Sequence, residues 1–151
     1  MTEALRLDDQ LCFALYAASR AMTAAYQPLL QSLGITYPQY LVLLVLWEED
    51  GARVSRIGER LYLDSATLTP LLKRLASRGL VERRRNPDDE RVVQVFLSGE
   101  GKRMKRKALD VVRSLLCLTP IPIDEAQRLR SSLRSLTGLL HGATSVPALP
   151  P

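Results

Sequence analysis

Cysteine and histidine are nearly absent from this chain of 151 residues: Cys12, Cys117 and His141 are all there is. Two cysteines 105 positions apart cannot build a disulfide-dense secreted scaffold. With one histidine and no CxxC pair, a structural zinc site lacks ligands, and no metal or other cofactor is expected. Aromatic residues make up only 5% of the chain. Long apolar runs are missing too. The longest, Tyr40 to Trp47, falls far short of the ~20 residues that cross a bilayer. The opening stretch, Met1-Thr-Glu-Ala-Leu-Arg-Leu-Asp-Asp9, lacks the basic-then-apolar order of a secretory signal. These absences predict a cytoplasmic protein with no membrane partner. What is present, 46% hydrophobic and 25% charged residues, is close to the globular average and excludes wholesale disorder. The length suffices for one domain with a core of its own.

The net charge of +5 is unevenly spread. Between Arg53 and Arg113 there are 16 Lys/Arg against 8 Asp/Glu, whereas the rest of the chain holds 5 against 8. A basic middle between mildly acidic ends is the pattern of a nucleic-acid-binding module set between elements that do not bind. A charged, solvated surface would give the same count, so the motifs must decide.

Apolar spacing predicts a mainly α chain. From Asp8 to Leu30, Leu11, Leu15, Ala18 and Met22 fall on one helical face, with Asp8 or Asp9 as the expected N-cap. Thr36-Tyr-Pro-Gln39 reads as a capping box that opens a second helix, apolar nearly all round and so expected at the buried centre with Trp47 in the core. A short helix with Val54, Ile57 and Leu61 inward follows. After the turn at Tyr62-Leu-Asp64, a further helix carries Leu68, Leu71, Leu72 and Leu75 on one face, capped by Asp64 or Ser65 and stopped at Gly79. Leu80–Arg85 and Val92–Leu97 flank Asn86-Pro-Asp-Asp-Glu-Arg91 as a hairpin with a polar tip. Ser98 caps a helix with Met104, Ala108, Val111 and Leu115 in a stripe, broken at Thr119-Pro-Ile-Pro122. The last helix, from about Asp124 to His141, presents Leu129, Leu133, Leu136 and Leu140 together, and residues 143–151 read as a loose tail.

Two short helices, a tight turn and a basic hairpin make a winged helix-turn-helix, whose second helix would enter a DNA major groove. Ser65, Thr67, Thr69, Lys73 and Arg74 are the side chains that helix leaves for base edges and phosphates. On the hairpin, Arg83, Arg84 and Arg85 would neutralise phosphates, and Arg91 at the tip would reach into a minor groove. Asp89, two residues earlier, is expected to hold the Arg91 guanidinium in a bidentate pair. A solvated strand face is the competing account of the three successive arginines.

The run Leu61-Tyr-Leu-Asp-Ser-Ala-Thr-Leu-Thr-Pro-Leu-Leu-Lys-Arg-Leu75, followed by Gly-Leu-Val-Glu-Arg-Arg-Arg85 and Asp-Glu-Arg91, strongly resembles the MarR family of transcription regulators. Leu7-Asp-Asp-Gln-Leu-Cys-Phe-Ala-Leu-Tyr16 resembles its organic-hydroperoxide-sensing branch, OhrR, more narrowly. The likeness runs from about Leu5 to His141. It implies a homodimeric repressor on a pseudo-palindromic DNA operator, induced by organic hydroperoxide and without enzymatic activity. Residues 1–34 plus 99–142 would form a helical dimerisation region around the winged unit of residues 35–98.

The resemblance also gives the cysteines roles. Cys12 would be the peroxide-sensing thiol, and Cys117 matches the second, resolving thiol of two-cysteine sensors, which we expect to act from the opposite subunit. The positive end of the first helix dipole favours a thiolate at Cys12, while the nearby carboxylates oppose it. Residues matching the family's thiol-supporting tyrosines are Tyr26 and Tyr37, with Tyr16 nearby. Cys12 and Tyr16 are spaced i, i+4 and can face each other. Tyr26, 14 positions on in the same helix, lies about 21 Å away along the axis, so any bond to Cys12 must come from a partner chain. Three readings compete: a regulator of the same fold gated by a small aromatic or phenolic ligand, a thiol peroxidase using Cys12 and Cys117, and an architectural DNA binder without a switch. An inert buried Cys12 and tyrosines that merely pack are the structural alternatives.

Overall fold

The computed structural model describes residues 5–118 and 121–143. The leader reading at Met1–Ala4, part of the helix break at Thr119–Pro120 and the tail beyond Ala143 lie outside the described residues. The chain divides into two compact units, residues 1–115 and 116–151. Its elements are α1 (Leu11–Gln31), α2 (Tyr37–Glu48), β1 (Ala52–Arg53), α3 (Val54–Leu61), α4 (Ser65–Ser77), β2 (Val81–Arg85), β3 (Val93–Leu97), α5 (Gly99–Leu118) and α6 (Ile123–Ala143).

The first helix starts later than its acidic residues suggest. Leu7–Asp9 form a separate 3-10 turn, closed by the Asp9 and Gln10 N–H groups donating to the carbonyls of Arg6 and Leu7. Gln10, in extended backbone, is the N-cap of α1, and no side chain caps it. Asp9 instead faces Arg6 at 3.7 Å. Cys12 is therefore the second residue of the helix proper.

In α2 the capping box is present. The Gln39 N–H donates to Thr36 Oγ1 at 3.5 Å, and the Thr36 N–H donates to Gln39 Oε1 at 2.9 Å. This explains why Gln39 is the buried polar residue of the described core. Tyr40, Val42, Leu43, Val45 and Leu46 are all buried, which makes α2 the axis of the first unit. Ile57 of α3 and Leu68, Leu72 and Leu75 of α4 close on it, each large aliphatic side chain contributing about 1.5–3 kcal/mol on burial. Gly58 permits the α3–α4 turn, because a Cβ there would come within 2.7 Å of the Leu63 carbonyl oxygen. Asp64 Oδ1 accepts the Thr67 N–H at 2.7 Å and caps α4.

The expected two-stranded hairpin is a three-stranded antiparallel sheet in the order β1-β3-β2. Ala52 and Arg53 pair with Val95 and Gln94. A two-residue strand leaves no alternation to read, so the sequence could not announce it. Ser98 Oγ accepts the Gly101 N–H at 3.0 Å and starts α5, whose stripe of Met104, Ala108, Val111 and Leu115 is buried as expected. In the second unit, α6 is braced locally by Arg128 donating to Asp124 at 2.9 Å. None of the residues described along it is buried. Among the described residues, no helix is long and apolar enough to cross a membrane.

Candidate functional site

Charge pairing sorts the basic residues of the first unit. Arg56 lies 3.7 Å from both Glu49 and Glu59, Arg60 lies 2.7 Å from Glu48, and Lys102 lies 3.1 Å from Asp50. Among the described residues, no carboxylate lies within ion-pair distance of Lys73 or Arg74 on α4, or of Arg83, Arg85 or Arg91 on the wing. Unneutralised cations thus line α4 and the wing, and others stand at Arg20, Arg53 and Arg78 and on α5 at Lys105, Arg106 and Lys107. Such charge draws in polyanions and releases their counterions.

The α4 side chains fall where the spacing puts them. Ser65, Thr67, Lys73 and Arg74 are exposed; Thr69 is half-buried and its hydroxyl donates back to the Ser65 carbonyl at 2.7 Å. Two wing residues differ from expectation. Asp89 Oδ1 accepts the main-chain N–H of Arg91 at 3.0 Å, not its guanidinium. An Asp oxygen reaches the main-chain N–H two residues on in an Asx-type turn without fixing a long side chain, so Asp89 shapes the tip backbone and leaves the Arg91 side chain exposed. Arg84 pairs with Glu82 at 2.7 Å and covers the Phe96 ring. Strand alternation puts it on the opposite face of the sheet from Arg83 and Arg85.

A second constellation lies where α1 meets α2. The rings of Tyr26 and Tyr37 stand 5.1 Å apart, and Tyr40 completes the group at 5.6 Å from Tyr26. Trp47 extends it, its ring edge-on to Tyr40 at 6.2 Å and its Nε1–H donating to the Gly101 carbonyl at 2.9 Å. Trp47 is therefore at the margin of the core, half-buried, with its polar atom satisfied. From sequence, Tyr40 carries no assigned role and Trp47 is placed in the core; the available signal is their spacing, three and ten positions on from Tyr37, which puts all three on one face of α2. Burial pushes the Tyr26 phenol up to about 12, and the neighbouring Tyr40 and Tyr37 add to this. Tyr37 and Tyr40 are raised too, chiefly by burial. All three phenols therefore stay protonated, hence able to donate, at neutral pH. A cleft of about 480 Å³ opens beside Tyr37, lined by Thr23, Gln27, Leu30, Ile35 and Pro38 among others.

Cys12 and Cys117 are both exposed free thiols. Cys12 and Tyr26 belong to the same unbroken stretch of α1, so the rise of a helix separates them by about 21 Å within one chain. Tyr16, expected to face Cys12, is engaged from the other direction. Arg20 Nη1 donates to its hydroxyl at 3.2 Å, one turn further along. A guanidinium at i+4 competes for the phenol more strongly than a thiol at i−4.

Comparison with known proteins follows the same lines. The MarR family profile matches residues 35–93. The organic hydroperoxide resistance transcriptional regulator of Bacillus subtilis is 48% identical over 137 residues, covering 91% of this chain and 93% of that protein. The HTH-type transcriptional regulator TtmR of Methylorubrum extorquens is 50% identical over 145 residues, covering 94% and 74%. Among solved structures, reduced AbfR bound to DNA superposes with a TM-score of 0.83 at 36% identity, covering 95% of this chain and 98% of that one. Disulfide-formed AbfR gives 0.66 at 38% identity, covering 90% and 96%. With a winged unit of this geometry and near full-length relatives at such identity, the chain belongs to the MarR family of transcription regulators, which are not enzymes.

Proposed function

We propose that the protein is a cytoplasmic, dimeric repressor that holds operator DNA while Cys12 is reduced and lets go when an organic hydroperoxide oxidises it. The observation that carries the redox part is the separation on α1: an exposed thiol at one end, three assembled phenols at the other. Two antiparallel copies of α1 would bring each Cys12 to the opposite Tyr26 and Tyr37, with Tyr16 alongside. The DNA part is supported by the unpaired Lys73, Arg74, Arg85 and Arg91 and by the exposed Ser65 and Thr67, with Thr69 and Asp89 shaping the backbone that presents them.

Dimerisation would use residues 1–34 plus 99–142, leaving residues 35–98 for DNA. Exposed apolar side chains support this assignment: Leu7 and Leu11 near the start, and Leu116, Leu139 and Leu140 in the second unit. Such exposure at several places supports surfaces that another chain would cover.

In the chemical step, the Cys12 sulfur attacks the terminal peroxide oxygen and the O–O bond breaks. The alcohol leaves with the proton, and Cys12 becomes a sulfenic acid. The Cys117 thiol of the other subunit then attacks that sulfur and expels water, forming an intersubunit disulfide. Tying the start of α1 to the end of the opposite α5 would rotate the winged units, and half-sites one DNA turn apart would no longer be matched.

Binding to DNA at stated salt, before and after one equivalent of organic hydroperoxide, tests the reading. Wild type is expected to release the DNA and Cys12→Ser to retain it. A Cys12→Ser protein that still releases would favour gating by a small aromatic ligand. On non-reducing gels, a dimer band that survives in Cys117→Ser would remove the resolving role.

A further inference from the structure

The outer face of the wing carries a cluster that the DNA reading leaves unused. The β2–β3 register sets Glu82 opposite Phe96 and Arg84 opposite Gln94. These four side chains therefore share the face turned away from the buried Val95 and Val81. The guanidinium carbon of Arg84 lies 4.7 Å from the centroid of the Phe96 ring, and its Nη2 lies 2.7 Å from Glu82 Oε2. Phe96 in turn sits directly on Gly51, where an added Cβ would come within 2.6 Å of the ring. Gly51, at φ +83, also accepts a hydrogen bond on its carbonyl from Gln94 Nε2 at 3.1 Å. One stack thus ties β2, β3 and the turn before β1 together.

We infer that Arg84 is a positioning residue that locks the wing and so fixes the angle at which the 86–92 tip presents Arg91, in contrast to the phosphate-neutralising role its charge suggests. The inference rests on the reading that the wing meets DNA. The Glu82 carboxylate offsets the charge of Arg84 and, with the ring, engages part of its guanidinium, so less of it is left for a phosphate than of an arginine with no such partner. Arg85, one residue on and facing the other side, carries no such partner and remains the phosphate ligand. The lock matters at the tip because a minor-groove arginine works by entering a narrow groove, where a small change in angle removes it.

The test uses the full-length dimer and the duplex that wild type enriches from a random 30-bp pool. Affinity is measured across a salt series, and again after A·T pairs under the wing are changed to G·C. Wild type is expected to lose about tenfold on the A·T to G·C change. Arg85→Met should lower the salt slope by about 1, the signature of one lost phosphate contact. Arg84→Met should leave the slope unchanged and abolish the A·T preference, as Arg91→Met does. The double swap Glu82→Arg/Arg84→Glu rebuilds the pair with a cation directly opposite Phe96, and should restore the preference in a chain of unchanged net charge. Thermal unfolding by circular dichroism confirms that each variant is folded before it is scored. An Arg84→Met slope that falls as far as that of Arg85→Met overturns the inference, as does an A·T preference that survives the substitution. A wild-type protein that enriches no duplex overturns the underlying DNA reading instead.

Discussion

If the sensor site is built across two subunits, complementation between mutant subunits should reveal it. One subunit carries Cys12→Ser, the other Tyr26→Phe, and differently tagged copies are co-purified as heterodimers. The geometry behind the expectation is the 14-residue separation within α1, about 21 Å at the helical rise, which no side chain spans. In this heterodimer the remaining Cys12 faces the intact Tyr26 of the other chain, so its oxidation should proceed at the wild-type rate. In the reverse arrangement, a doubly substituted subunit beside a wild-type one, the remaining Cys12 faces phenylalanine and should be slow. A hydrogen bond to a charged group contributes about 1.5–3 kcal/mol, so the gap should be about 10- to 150-fold. The assay is stopped-flow fluorescence under excess hydroperoxide. Trp47 serves as the probe because it is the single tryptophan and packs on Tyr40. A slow first heterodimer and a fast second one would refute the argument and restore a site within one chain. Equal rates in both would remove Tyr26 from the sensor.

The remaining expectations concern the surroundings of the two sites. Titration of phenol absorbance should place Tyr26 near 12, well above an ordinary tyrosine, and Tyr26→Phe should delete that step. Because the folded chain holds this proton more tightly than the unfolded one, its stability is intact below pH 10 and falls as pH rises towards 12, a loss the variant should lack. Partial burial works against ionisation of Asp50, but hydrogen bonds from the Leu97 N–H and from Lys102 outweigh it and hold its carboxyl below the usual value of 3.8. Asp50→Asn should therefore be less stable than wild type near neutral pH, with the gap closing as pH falls below 3.8 in acid unfolding curves. A Cβ on Gly101 would collide with the Leu80 carbonyl oxygen, so Gly101→Ala should cost about 1–3 kcal/mol in chemical denaturation and shift the emission of Trp47, which bonds to the Gly101 carbonyl.

Most of the fold was legible because its signals are local. The capping box at Thr36, the leucine face of α4 and the stripe on α5 all depend on residues within a few turns of one another, and each appears where spacing put it. What escaped was decided by distant or competing partners. Strand β1 exists only because β3 pairs with it. Asp8 and Asp9 look like caps, yet the chain turns through a 3-10 segment and leaves that place to Gln10. Asp89 and Arg91 carry opposite charges two residues apart, and the backbone amide took the carboxylate.

The candidate sites divide in the same way. Sequence alone determined which residues carry hydroxyls, positive charge and thiols on α4, the wing and α1, because composition and periodicity are properties of the chain itself. Tertiary structure decided which of them are already spoken for. Tyr40 and Trp47 join Tyr26 and Tyr37 only once α2 packs on α1, and Arg84 is withdrawn from its neighbours only once β3 lies beside β2. Contacts between residues far apart in sequence form when the core closes, and no spacing rule encodes them.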